Sequence, residues 1–195
     1  MSDSTHIPTH YHLVGDIGGT NARFAFVPPG AHRPTALAKY LVADFSCFDD
    51  VMARLLADWR EQGLPEAGPD KTCLAVAAPA HLDTISFTNS PWRFDRALLE
   101  RHLQRSSITI INDFAAVARA LPALTDSDVE QIGAGTSSAG APMVAIGPGT
   151  GTGVATVVYD SNENPLVIGG EGGHVDYAPI SDMEFDVLKR LRARF

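Results

Sequence analysis

The chain has 195 residues, 45% of them hydrophobic and 19% charged, with a formal net charge of −8 at pH 7. That length suffices for one good core or a core with a small second lobe, and the acidic balance without any lysine or arginine cluster excludes a nucleic-acid partner, whose phosphates require a basic face. No run approaches the ~18 apolar residues that cross a bilayer and the opening stretch lacks the basic-then-apolar order of a secretion signal, so no membrane partner and a cytoplasmic location are expected.

Residues 1–10 read as a disordered polar tail, in which His6 and His10, with His12, form a less convincing metal chelator than a mobile segment. From Tyr11 the runs "YHLVGD", "ARFAFV" and "ALAKYLVADF" predict a meander of three strands, the first two joined by a tight hairpin at "IGGTN". "DDVMARLLADWREQG" places Val51, Leu55, Leu56 and Trp59 on one helical face and stops at Gly63. "KTCLAVAAPA" predicts a buried strand and "TISFTN" a short one, followed by an amphipathic helix in "FDRALLERHLQ" with Asp95 as its cap. Cys47 and Cys73 fit no CxxC or disulfide framework and read as buried small apolar side chains.

"SITIIND" is a near-continuous apolar run of the kind a strand buried on both faces carries, and the helical "DFAAVARALPAL" opens directly from it. After the loop "GAGTSSAGAP", the stretch "MVAIGPGTGTGVATVVYD" reads as strand, glycine turn, strand, the plan already met in "YHLVGDIGGTNARFAFV"; this is a weak internal repeat. "GGEGGHVDYAP" favours neither helix nor strand, and "DMEFDVLKRLRARF" is an amphipathic helix. Strands first in a meander and then alternating with helices predict an α/β domain with a mixed sheet and helices on its faces, the segment around residues 80 to 140 partly forming a second lobe.

Five stretches carry chemistry. In "GDIGGTNAR", Gly15 to Arg23, glycines let the backbone approach an anion, Thr20 and Asn21 add neutral donors, and Asp16 can hold a hydrated Mg²⁺. The stretch is neither a Walker A loop nor a GxGxxG, and a plain hairpin turn is the bland alternative. "GPGTGTGVA", Gly147 to Ala155, repeats the device, and two such turns would grip one polyphosphate from both sides of a cleft. "IINDFAA" puts Asn112 and Asp113 at a strand's exit and a helix's entrance, where ligands of α/β sheets sit; Asp113 there can serve as a general base, and helix capping by either residue is an equal alternative. Glu171 and His174, with Thr88 and Asn89 of "FTNS", offer the carboxylate, imidazole and amide groups that suit the hydroxyls of a sugar, although a histidine beside glycines is more often structural.

In this order, "LVGDIGGTNARFAF", "SFTNSPW", "IINDFAAVA", "IGPGTGTGVA" and "GGEGGHVDYAP" resemble the bacterial ATP-dependent glucokinases of the actin-like sugar kinase superfamily, over almost the whole chain from Leu13. The cysteine-rich zinc motif of the related repressor-type group is absent from the sequence. The resemblance implies an actin-like ATPase (ribonuclease H-like) α/β fold with a mixed sheet and flanking helices, plus part of a second α/β lobe. Residues 11–80 would be the small-lobe meander and helix, and 81–195 the remainder of that lobe and an incomplete start of the large one.

It also implies transfer of the γ-phosphoryl group of Mg·ATP to the 6-hydroxyl of glucose, giving glucose 6-phosphate, with ATP and Mg²⁺ as the cofactors. Asp113 would be the base. Asn89, Asn112, Asp113, Glu171 and His174 would bind the sugar. Gly15, Asp16, Ile17, Gly18, Gly19 and Thr20 would form the first phosphate loop, Gly147, Gly149, Thr150 and Gly151 the second, with Asp16 nearest the metal. Homodimers are common in this group, which sets the expectation of one here. Members of the family continue well past Phe195, so the chain is expected to be the N-terminal portion of a glucokinase, a truncated product with weak or absent activity. A non-catalytic sugar-sensing regulator on the same fold is the alternative, disfavoured by the intact Asp113 and the lack of a helix-turn-helix before Tyr11. An actin-like ATPase acting as a scaffold would leave "GGEGGH" and "FTNS" without a role.

Overall fold

Period-two alternation after Tyr11 produces three strands, β1 (His12–Ile17), β2 (Asn21–Val27) and β3 (Thr35–Leu41), paired antiparallel in sequence order. The computed structural model describes residues 10–31, 33–63, 68–87, 90–104, 107–148 and 151–195. Residues 1–9 of the expected tail, His6 among them, lie outside that set. His10 contacts Asp70 Oδ2 through Nδ1 at 3.0 Å, and His12 stands in β1. No group of three or more His, Cys, Asp or Glu among the described residues has the geometry to hold a metal ion. Nor is any helix among them long and apolar enough to cross a membrane.

The helix expected next is α1 (Phe48–Glu61), and it buries Phe48, Val51, Met52, Leu55 and Trp59, a stripe at spacings of three and four. Leu56 only flanks that stripe, half-buried. Gly63, at φ +86°, ends the helix in the left-handed region that a residue without a β-carbon enters at least cost. β4 (Lys71–Val76) then returns parallel to β1. Burial pushes the Cys73 thiol above its ordinary pKa, as befits an unreactive side chain.

A small hairpin follows, β5 (Thr84–Ser86) with β6 (Arg93–Asp95); the second of these strands is too short for any alternation to show in the sequence. Asp95 caps α2 (Arg96–Leu103) as expected, accepting from the Leu98 N–H at 2.8 Å. β7 (Ser107–Asn112) is parallel to β4 and completes a five-stranded sheet of order β3-β2-β1-β4-β7. The apolar run of β7 suggests burial on both faces, but among the described residues it is the outermost strand, with Ser107, Thr109 and Asn112 exposed.

One face of this sheet supplies Leu13, Ile17, Phe24, Leu74 and Val76 to the main core, against α1 and against Leu99 and Leu103 of α2. Each such side chain taken out of water contributes about 1.5–3 kcal/mol. Aromatic rings tie the layers: Phe48 stacks on Phe94 at 4.1 Å between centroids, and Trp59 meets Tyr11 edge-on at 6.4 Å. Ile85, Phe87, Trp92, Phe94, Leu99 and Leu103 thus belong to this first core.

A second apolar cluster begins with α3 (Asp113–Ala120), which lies against β8 (Met143–Pro148), β9 (Thr152–Tyr159) and β10 (Pro165–Gly170). These three strands form an antiparallel sheet of order β10-β9-β8, and Ala118, Ala145, Ala155 and Val157 fill the interface with the helix. The internal repeat is therefore longer than the sequence indicates: each copy is a three-stranded antiparallel meander. β10 corrects the reading of "GGEGGH" as unstructured, because Gly169 and Gly170 continue the strand through pairing with Ala155 and Val154. The last helix, α4 (Asp182–Arg194), starts with a capping box in which Ser181 and Glu184 satisfy each other's backbone N–H groups.

Candidate functional site

Parallel pairing sets the carboxyl ends of β1, β4 and β7 level, with Ile17 opposite Val76 and Val76 opposite Asn112. That edge is where α/β sheets place ligands. It opens into a depression of about 380 Å³ lined by Asp16, Ala75, Asp113, Phe114, Ala116 and Val117. Carboxylates separated by nearly a hundred residues of chain, Asp16 from the first glycine stretch and Asp113 from the strand-to-helix junction, thus line one depression.

The junction itself resolves which residue caps the helix. Asn112 is the N-cap: its Oδ1 accepts from the N–H groups of Phe114 at 3.0 Å and Ala115 at 3.2 Å. Its Nδ2 donates to Asp113 Oδ1 at 2.9 Å, and the Phe114 N–H donates to that same oxygen at 2.9 Å. Asp113 is held by one oxygen, and Oδ2 makes no hydrogen bond among the described residues. A carboxylate so arranged has an oriented, unengaged oxygen with which to accept a proton.

Of the first glycine stretch, only residues 18–20 form the turn. The Gly18 N–H donates to Asn21 O at 2.9 Å, and Thr20 O accepts from the Val42 N–H at 2.9 Å. Gly15 lies inside β1, where a β-carbon would stand 2.7 Å from Leu74 Cδ2 and 3.0 Å from Phe24 Cδ1, so its lack of a side chain serves the core. The Ile17 side chain is wholly buried in that core, leaving only its backbone to face the turn. Asp16 Oδ2 accepts from Arg23 Nη1 at 2.7 Å, its cross-strand neighbour in the β1–β2 register.

Asn21 adds a buried Oδ1 without a hydrogen-bond partner among the described residues. A buried acceptor beside a turn is costly unless a donor reaches it. Both it and the second carboxylate oxygen of Asp16 are acceptors, of the kind that the waters of a hydrated magnesium ion could satisfy.

The second glycine stretch splits in the same way. Gly147 and Gly153 face each other across the β8–β9 pair, Gly151 is exposed in the turn, and Gly149 and Thr150 lie outside the described residues. The Phe114 ring fills the space over both paired glycines: a β-carbon at Gly147 would stand 2.5 Å from Cζ, and one at Gly153 would stand 2.0 Å from Cδ2 and Cε2. Asp113 is therefore one residue from the side chain that docks on the second turn.

Glu171 precedes, and His174 ends, a single 3-10 turn, Gly172–His174, seated on β9. Gly172 abuts Val154, whose Cγ2 would stand 2.7 Å from a β-carbon there, and Gly173 abuts the Thr152 carbonyl, whose oxygen would stand 2.3 Å from one. His174 Nε2 and Glu171 Oε2 are 3.7 Å apart, and the two side chains are 85% and 90% exposed. They do not line the depression with Asp16 and Asp113; the link between them runs through β9, where Thr152 meets Gly173 and Gly153 meets Phe114. Thr88 and Asn89 lie outside the described residues. Sequence reasoning missed Phe114 and Arg23. The signal for Arg23 was the short hairpin, which sets it opposite Asp16; that for Phe114 was an aromatic residue next to a carboxylate in a chain with two spaced glycines.

Comparison with known proteins gives this geometry a family. A glucokinase family model matches residues 13–195. A curated glucokinase of Marinobacter nauticus is 41% identical over 187 residues, covering 95% of this chain and 56% of its own. A crystal structure of glucokinase from an Antarctic psychrotroph superposes with a TM-score of 0.78 at 31% identity, over 94% of this chain and 57% of that one. The glucokinase of Balamuthia mandrillaris, solved in complex with glucose, shares the fold with a TM-score of 0.67 at 20% identity, over 94% of this chain and 53% of that one. The chain thus spans about half the length of the relatives it matches. Its architecture is the actin-like ATPase fold of sugar kinases, and from the first strand to the last helix the chain belongs to the glucokinase family.

Proposed function

We propose that this chain carries the glucose-binding and proton-accepting part of an ATP-dependent glucokinase. The observation that supports it most is the state of Asp113: one carboxylate oxygen pinned by Asn112 and Phe114, the other unengaged, at the strand edge that also holds Asp16. Glucose as the sugar comes from the family, whose Balamuthia mandrillaris member is solved with it.

Bound Mg·ATP supplies the transferable phosphoryl group and offsets its charge; Asp16 and the turn of residues 18–20 would hold its phosphate end on one side, and residues 147–153 on the other. Phosphoryl transfer depends chiefly on positioning and charge stabilisation, and the chain's own groups divide that work. Asp113 Oδ2 takes the proton of the 6-hydroxyl, so that the hydroxyl oxygen forms its bond to phosphorus while the bond to the leaving diphosphate breaks. Asn112 keeps the carboxylate turned toward the sugar. Glu171, His174 and Asn89 bind hydroxyls of the ring. The first and second apolar clusters correspond to the small lobe and the start of the large lobe, and a homodimer is the assembly we expect.

Calorimetric titration of the chain with glucose tests the reading. Saturable binding is expected, retained in Asp113→Ala, with any glucose-dependent release of ADP vanishing in that variant. Absence of glucose binding would refute it. In a full-length enzyme carrying this chain the kinase reading expects glucose-dependent ADP release, whereas a sugar-sensing regulator would bind glucose with none.

A further inference from the structure

Phe114 is engaged at both ends. Its backbone N–H donates to Asp113 Oδ1 at 2.9 Å and to the capping Asn112 Oδ1 at 3.0 Å. Its ring covers Gly147 and Gly153, the paired residues from which the second glycine turn springs, at distances that admit no β-carbon at either position. The same residue also lines the depression beside Asp113. An aromatic ring has two rotatable angles, so once its face is seated on a flat glycine pair little freedom remains for the backbone that carries it. Asparagine capping alone would orient Asp113 within α3; it would not place α3 relative to the hairpin.

From this we infer that Phe114 is a positioning residue, which fixes the distance between the Asp113 carboxylate and the backbone of the second glycine turn. The inference rests on the proposed role of Asp113 for its functional meaning, but its physical content is independent of the substrate. Misplacement of a reacting group by about 1 Å is enough to cost on the order of a hundredfold in rate. A rigid link between base and phosphate loop is what a transfer between two separately bound partners requires.

The test is a pH titration of the chain followed by amide NMR. Ionisation of Asp113 produces a step in the amide shifts of Gly151, Thr152 and Gly153, identified by its loss in Asp113→Asn. In Phe114→Ala that step falls by about a tenth or more, because the interaction weakens with the distance that the ring no longer fixes, whereas the Asp113-dependent step at Ala115 within α3 persists. Loss of the ring's own field displaces these resonances at every pH and leaves the step's amplitude untouched, so simple removal of a core side chain does not mimic the effect. Should Phe114→Ala fail to fold, Phe114→Leu keeps much of the volume without spanning both glycines and is expected to lower the step as well. An undiminished step at residues 151–153 in the folded variant, or no such step in the unaltered chain, overturns the inference. Glucose titration of the same samples separates the two ideas: a chain that binds no glucose sinks the kinase reading and leaves the titration result standing.

Discussion

Phe114 occupies the place that a side chain on Gly153 would need: a β-carbon there falls 2.0 Å from two ring carbons. Six residues earlier on the partner strand, Gly147 is excluded by the same ring, while Gly151 between them meets nothing within 4 Å. The glycines of "GPGTGTG" are thus of two kinds. Those in the paired strands make room for α3, and the one at the tip leaves the turn open.

Gly153→Ala should destabilise the fold by about 1–3 kcal/mol, the usual cost of forcing extra volume into a packed contact. Gly151→Ala, at an open position, should stay within about 0.5 kcal/mol of the unaltered chain. Urea denaturation compares the two, and equal stabilities would show that the ring yields freely.

In a full-length enzyme carrying this chain, Asp113→Ala should lower glucose-dependent turnover by on the order of 10²–10⁴ while glucose affinity changes little, since removing a base touches the transition state more than the bound sugar. Coupled ADP release against calorimetry reads the split. A loss confined to affinity would make Asp113 a sugar ligand only.

Asn112→Ala should cost about 1 kcal/mol by removing the α3 cap, and should also free the Asp113 oxygen that Nδ2 now holds. Asn112→Asp restores an accepting oxygen for the Phe114 and Ala115 N–H groups without restoring that donor. Its thermal midpoint should recover while turnover of a full-length enzyme carrying the same change remains depressed; recovery of both would show that the Nδ2 contact is unimportant.

Asp128 gives a pH dependence. The Thr125 hydroxyl donates to its Oδ2 at 2.7 Å, the Thr125 N–H at 3.0 Å and Arg33 at 2.9 Å. Those bonds, Thr125 first, pull the carboxyl down to about 2. Unfolded aspartate titrates near ~3.9, so the folded state binds its proton less readily. The contribution is complete above about pH 4 and fades as the pH falls towards 2. Carboxyl NMR should place the Asp128 midpoint near the lower figure, and Arg33→Ala should raise it; a midpoint unchanged by that substitution would remove Arg33 from the account.

Much of this was legible from local pattern. The meander, the α1 stripe, the Asp95 cap and both glycine hairpins follow from spacing that acts over a few residues. Short strands did not: β6 and β10 offer too few residues, or too many glycines, for alternation to show, and pairing with β5 and β9 makes them strands. The apolar run of β7 was misleading about burial because exposure depends on which strand lies beyond it, and among the described residues none does.

Taken alone, the amino-acid sequence determined the α/β class, the two glycine turns and the presence of a carboxylate where a strand passes into a helix, since turn geometry, capping and side-chain period are set by near neighbours. Tertiary structure decided that Asp16 and Asp113 line one depression, that Asn112 rather than Asp113 caps α3, and that Glu171 and His174 stand apart from that depression on their own turn. Strand register and the seating of one ring on two distant glycines produced those outcomes, and both are contacts between residues far apart in the chain, whose choice no local preference encodes.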